Sequence, residues 1–267
     1  MTDLAHDLTH LSAPASRLAA AVARPRRLAI LCVAALTALG WGALGLMAAD
    51  AGIWQAICQP AGVDSALEAA LALGMWSAMA LAMMLPTAAP MMLTYAEIAD
   101  TAAAKGEPAA SPLYLAAGYC IVWLGFAAVA ALLQFAFTRT GLLDAGRASL
   151  WLAAAVFTGA GLYQFSRLKH ACLTVCQRPF PFFFANWTAE PAGVVRLGVR
   201  QGLACLGCCW ALMLVMFAAG AMNIVWMALL GIVMTIEKMS KTARFSQAVG
   251  ILLVAVGLGV VSVIVVK

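Results

Sequence analysis

Five of the chain's eight cysteines fall between Tyr163 and Trp210, and three of them, Cys205, Cys208 and Cys209, lie within five residues. On a helix at 100° per residue, Cys209 stands about 40° from Cys205 and Cys208 about 60° to the other side, so the three thiols share one arc. Met216 and Met213 continue that arc at about 20° and about 80° from Cys205. Thiolates and thioethers are soft donors that select Cu(I), Zn(II) or iron–sulfur chemistry over hard cations. The plain alternative is packing, since Cys and Met also serve as apolar filler. Three thiols so closely spaced, beside Gly207 and Trp210, weigh against filler as the whole account.

Cys172 and Cys176 form a second group, spaced i, i+4 and hence on one face if Lys169 to Gln177 is helical, with His170 two residues before the first thiol. Arg167, Lys169 and Arg178 surround them and are expected to lower the thiol pKa. The two groups read CxxxC and CxxCC, a loose match to zinc sites, which pair CxxC-like elements on loops. Met75, Met79 and Met83 are spaced by four on one face of a further segment, where Pro86 is expected to break the helix and free the Ala82 carbonyl. Such a helix suits Cu(I), although methionine also fills the irregular packing around a proline kink. Acids near these segments are few: Glu237 beside Lys238, Glu97 near Tyr95, and Glu68 at the other end of the methionine segment. The first two read as interfacial residues that pair with Lys or Arg. His6 and His10 are i, i+4 in the N-terminal tail, and Asn186-Trp187-Thr188 has the glycosylation pattern but falls in an expected cytoplasmic loop.

The elements that hold these residues are those of a membrane protein. Hydrophobic residues make up 65% of the chain and charged residues 10%, against roughly 25% charged in a soluble domain. The mean hydropathy is +0.97. The net charge of +5 sits in short loops and not on a soluble face, which excludes nucleic acid as the partner and makes the lipid bilayer the first one. Seven apolar runs are visible, Leu28–Ala49, Ala66–Tyr95, Leu113–Phe137, Leu150–Phe165, Gln201–Ala221, Met222–Ile236 and Gln247–Val266. The fourth and sixth are short against the roughly 20 residues needed to cross the hydrocarbon. The expected fold is therefore all-α, a polytopic membrane helix bundle of about seven transmembrane helices with the N-terminus inside. Residues 1–27 form a cytoplasmic polar tail, and residues 28–267 a single transmembrane domain with a Cys-bearing cytoplasmic loop at 166–200.

The orientation follows from the basic residues, which stay on the cytoplasmic side. With the N-terminus inside, 13 of the 16 Lys and Arg residues are inside and only Arg139, Arg147 and Lys267 outside. Both cysteine groups then face the cytoplasm, where thiols stay reduced and a disulfide loses ground to metal binding or redox work. No hydrolase triad, nucleotide-binding loop or dinucleotide fingerprint is visible, so neither an ATP-driven pump within this chain nor any enzyme is expected.

In chain order, Met75-Trp76-Ser-Ala-Met79-Ala-Leu-Ala-Met83-Met84-Leu-Pro86-Thr-Ala-Ala-Pro90-Met91, then Tyr163-Gln164, Leu168-Lys169, Cys172 and Cys176, then Gly198, Gly202 and Cys205-Leu-Gly207-Cys208-Cys209-Trp210-Ala-Leu-Met213, and finally Glu237-Lys238, resemble the bacterial predicted metal-binding integral membrane proteins, domain of unknown function 2182. The resemblance covers roughly residues 70 to 260 and implies a membrane protein with a soft-metal site. The resulting expectation is a multi-pass protein of the bacterial inner membrane that binds Cu(I) or Zn. Its ligands would be Cys172, Cys176, Cys205, Cys208 and Cys209, with Met79, Met83, Met213 and Met216 as secondary contacts. Its role would be metal handling, transport, or assembly of a metalloprotein or membrane complex that receives the metal. The competing expectations are a structural subunit without metal and a cytoplasm-facing thiol redox protein.

Overall fold

The structure is a computed structural model and describes residues 25–49, 65–144, 147–220, 223–240 and 242–266. Residues 1–24 of the polar tail, with His6 and His10, and residues 221 and 222 of the expected turn after Gly220, lie outside them, while Pro25–Arg27 already belong to the first helix. The described chain is helical apart from one small hairpin. In order it forms α1 (Pro25–Ala49), α2 (Ser65–Ala104), α3 (Pro112–Arg139), β1 (Leu143–Asp144), β2 (Arg147–Ala148), α4 (Leu150–Tyr163), α5 (Arg167–Gln177), α6 (Pro179–Ala185), α7 (Pro191–Ala219), α8 (Ile224–Met239) and α9 (Arg244–Val266). The two strands pair antiparallel, with Leu143 opposite Ala148.

Local sequence explains most of the boundaries. Ser111, Ser149, Ser166 and Asn223 sit at helix N-termini and accept from backbone N–H groups with their side chains, and Pro112, Pro179 and Pro191 occupy first-turn positions where a missing N–H costs nothing. Gly220 ends α7 at φ +97°, a conformation that side chains resist.

Among the described residues, α1, the Leu67–Ala104 part of α2, α3, α7 and α9 are long and apolar enough to cross a membrane. Their outer surfaces are apolar, as at Leu132, 68% exposed, and Val225 of α8, 76% exposed, whereas Gln134, Lys169 and Glu237 are buried. α4 and α8 have 14 and 16 residues, or about 21 and 24 Å at 1.5 Å per residue, which is short of a bilayer's hydrocarbon thickness of about 30 Å. The segment expected as a loop at 166–200 is largely helix: α5, α6 and the first turns of α7. The break expected at Pro86 is absent. α2 runs through Pro86 and Pro90 as one helix of 40 residues, about 60 Å long. The N–H groups those prolines lack leave carbonyls unpaired within the helix. Side-chain hydroxyls serve neighbouring carbonyls, with Thr87 Oγ1 and Tyr119 Oη donating to Met84 O and Thr94 Oγ1 to Pro90 O.

α7 is the central element and packs against α3, α4, α5 and α8, while α1 lies along α2, and α9 along α4. The α3–α7 crossing brings backbone onto backbone. A Cβ at Gly118 would stand 2.1 Å from Val195 O, and one at Gly198 2.2 Å from Leu115 O. Small residues allow this approach, the usual device of helix pairs in lipid. It places Tyr119 one residue beyond the crossing and beside Cys205, two turns along α7.

Gly118→Ala is therefore expected to push α3 from α7 and cost about 1–3 kcal/mol, the usual range for overpacking. Gly125→Ala, with open space at the Cβ position, is expected to leave stability unchanged or slightly raised. Thermal unfolding of the two variants in detergent measures the difference.

Candidate metal centre

The sulfur atoms of Cys176, Cys205 and Cys208 lie within 4.8 Å of one another. Cys205 and Cys208 come from one face of α7, as their spacing dictates, and Cys176 from the last turn of α5. Cys205 and Cys208 are buried and Cys176 half-buried. With sulfur–metal bonds of about 2.3 Å, two sulfurs on one ion stand about 3.8 Å apart in a tetrahedral arrangement and up to about 4.6 Å apart in a linear one. The Cys176–Cys208 separation of 4.0 Å falls inside that range. Cys209 Sγ is 3.2 Å from Cys208 Sγ, shorter than the separation of about 3.8 Å in a tetrahedral site. The Cys172 sulfur is turned to Gly207, where a Cβ would come within 2.5 Å of it. Met79, Met83, Met213 and Met216 are buried in the core that includes the three thiols of α7, and Met83 packs beneath Gly231 of α8.

Polar groups that the spacing of cysteines does not reveal complete the site. Lys238 Nζ of α8 is 3.0 Å from Cys205 Sγ and also donates to Thr87 Oγ1 of α2. Tyr119 Oη of α3 is 3.0 Å from the same sulfur. Five helices thus converge on three thiols. Glu237 and Lys238 are neighbours in sequence but project about 100° apart on a helix, so they cannot serve the same partner. Lys238 turns to the thiols. Glu237 turns to Lys169, which is 0% exposed and donates to its Oε2 at 2.8 Å and to Cys208 O at 3.0 Å. Ser246 Oγ donates to Oε1, and Gln177 Nε2 to the Glu237 and Ser240 carbonyls. Tyr163 Oη donates to Gly207 O, one residue before Cys208.

This arrangement changes the expected electrostatics of α5. The Cys176 thiol is held well above its ordinary pKa, chiefly by its hydrogen bond with Cys205, with burial adding in the same direction. Burial also raises Cys172. The sequence expectation of lowered values from Arg167, Lys169 and Arg178 is therefore overturned, because Lys169 is spent on Glu237 and the two arginines are exposed to solvent. Lys238, from another helix, is the cation that reaches the thiols. Its signal in the sequence was a lysine directly after an acid at the end of an apolar run. Tyr119 and Thr87 carried no comparable signal.

The donor set fits a soft metal ion. Three thiols gather within 4.8 Å of one another, and thiols are soft donors. The adjacent ammonium offsets part of the negative charge that thiolates would bring into a buried site.

Two outcomes follow. Lys169→Met is expected to cost about 3–5 kcal/mol by leaving Glu237 buried and unpaired, and the added change Glu237→Leu to recover most of it. Thermal unfolding of the single and double variants in detergent checks this. Alkylation of Cys172 by iodoacetamide is expected to keep rising with pH beyond the ordinary thiol value of 9.0, because its folded pKa is raised. Rates measured across pH 7 to 10, about, by peptide mass spectrometry test the sign.

A family model described as copper chaperone, PpoB2, matches residues 73–260. No curated protein and no solved structure matches the chain.

Proposed function

This chain belongs to the copper chaperone family, and from that premise we propose that it is a multi-pass protein of the bacterial inner membrane that holds Cu(I) on Cys176, Cys205 and Cys208 and hands it to a metalloprotein or membrane complex. The single observation that carries the reading is the convergence of those three sulfurs within 4.8 Å, from two helices, in a buried setting. Sequence alone clusters the thiols of α7; bringing Cys176 to them requires the turn from α4 through α5, so the grouping is a product of the fold. The resemblance to predicted metal-binding integral membrane proteins supports the same reading. Copper is favoured over zinc by the three-donor set and the neighbouring lysine.

The role proposed is carriage and not catalysis. Metal binding requires thiolates, so loading releases protons and weakens at low pH. Seven spans with the N-terminus inside, as the distribution of basic residues suggests, would set the thiols towards the cytoplasm, where they stay reduced. The two short helices α4 and α8 would then need local thinning of the bilayer, or extension by their flanks.

The test is copper analysis of protein purified under reducing conditions. The wild-type chain is expected to retain Cu(I), and the variant with Cys176, Cys205 and Cys208 all changed to Ser to lose it. Cys172→Ser is expected to keep it. Equal copper in the wild type and the triple variant would sink the proposal.

A further inference from the structure

A cavity of ≈ 810 Å³ opens between α2, the α5–α6 junction and the end of α8, and it reaches the metal centre. Cys176, Lys238 and Thr87 lie on its wall towards the thiols, Pro86 and Pro90 line the α2 side, and Arg178 stands at the α5–α6 junction. Cys205 and Cys208, behind that wall, are buried. Cys176 is therefore the one thiol of the three that a ligand in the cavity meets first. The charges that line the cavity, Arg178 and Lys238, are both positive, and among the described residues no carboxylate lines it. Glu237, next in the chain to Lys238, has both carboxylate oxygens engaged by Lys169 and Ser246.

A passage for a free cation would be lined with carboxylates, carbonyls or, for Cu(I), a run of thioethers; this cavity has the single methionine Met239, and its two positive side chains in a confined, weakly polar space repel a cation and attract an anion. We infer that this cavity is the copper port and that it accepts Cu(I) as an anionic complex with small, carboxylate-bearing thiols. The inference rests on the copper-handling function above and names the form in which that copper arrives. The volume lies in the range of pockets that hold small molecules, about 300–1,000 Å³. Transfer is ligand exchange. Cys176 Sγ forms a bond to the copper of the incoming bis-thiolate, one carrier sulfur leaves, and it takes up the proton that Cys176 gives up. The second carrier sulfur leaves in the same way as Cys205 bonds to the ion. Copper remains Cu(I) throughout, so no oxidant or reductant is consumed. The released thiols keep their carboxylates, and Arg178 meets these at the mouth.

The experiment compares two donors for the reduced full-length chain in a neutral detergent: Cu(I) as its anionic mercaptosuccinate complex, and Cu(I) as its cationic acetonitrile complex. Copper retained by the protein is measured after rapid gel filtration at timed intervals. Arg178→Glu is expected to slow loading from the mercaptosuccinate complex by about 10-fold at low salt, with a flatter dependence on ionic strength, and not to slow loading from acetonitrile. Arg178→Gln is expected to slow the first donor by a smaller factor, which keeps the test open should the charge reversal impair folding. Arg196→Glu, an exposed charge reversal that does not line the cavity, is expected to change neither rate. Wild-type rates from the anionic donor in both Arg178 variants overturn the port while leaving the copper function standing. A wild-type chain that holds no copper from either donor overturns the function and the port together.

Discussion

A buried ammonium and a buried carboxylate meet where α5, α7, α8 and α9 come together, and the arrangement of the thiols depends on their pairing. Lys169 and Glu237 meet at 2.8 Å, shielded from solvent. Either charge alone in such a place would be strongly unfavourable, so the helices must arrange themselves to bring the two together. Lys169 comes from α5 and also holds the Cys208 carbonyl of α7; Glu237 comes from α8 and accepts from Ser246 of α9. One ion pair therefore joins four helices. It lies two helical turns from Cys176 along α5 and one residue from Lys238 along α8, the two groups that α5 and α8 bring to the thiols. Such a pair contributes more to arrangement than to net stability, because an apolar pair of equal volume can be as stable without specifying which helices meet.

Around that pair, close backbone approach does the packing. In lipid, apolar side chains gain little by leaving one another's company for acyl chains, so helix association relies on contact area and on polar groups that find partners. The Gly118–Gly198 crossing of α3 and α7 supplies contact, and Tyr119 beside it donates its hydroxyl to Met84 O and sets the same oxygen 3.0 Å from the Cys205 sulfur. The same helix that makes the closest packing thus also completes the site. On the other side of α7, Gly207 leaves the space that the Cys172 sulfur fills.

The position of Lys238 ties the site to its surroundings. It touches the buried Cys205 on one side and faces the cavity on the other, together with Cys176. Thiolates collected in a weakly polar interior repel one another, and a fixed ammonium at 3.0 Å offsets that repulsion before any metal arrives. The same positive charge makes the approach to the site unfavourable for simple cations. Lys238 therefore links donor set and cavity, and with Arg178 it makes both charged side chains of that wall positive.

Much of this molecule is legible in its amino-acid order. Apolar runs of about the length of a bilayer declare the helices, because backbone groups in hydrocarbon must be satisfied within the segment. The i, i+3 and i+4 spacing of Cys205, Cys208 and Cys209 places their thiols on one arc by helical geometry alone, and the soft-metal chemistry follows from the donor type. Helix continuity through Pro86 was not legible, since it depends on packing and on hydroxyls that serve neighbouring carbonyls. Nor could spacing tell Cys172 from Cys176: both lie on one face of α5, and only the approach of Gly207 to the first and of Cys208 to the second separates them. Lys169 and Lys238 look alike in sequence as interfacial cations, yet one pairs with a carboxylate and the other with a thiol. Local order determined the helices and the chemistry available on each. Only the tertiary structure decided which donors share a site, because that depends on distances between helices far apart in the chain, set by the close glycine crossing and the need of buried charges for partners.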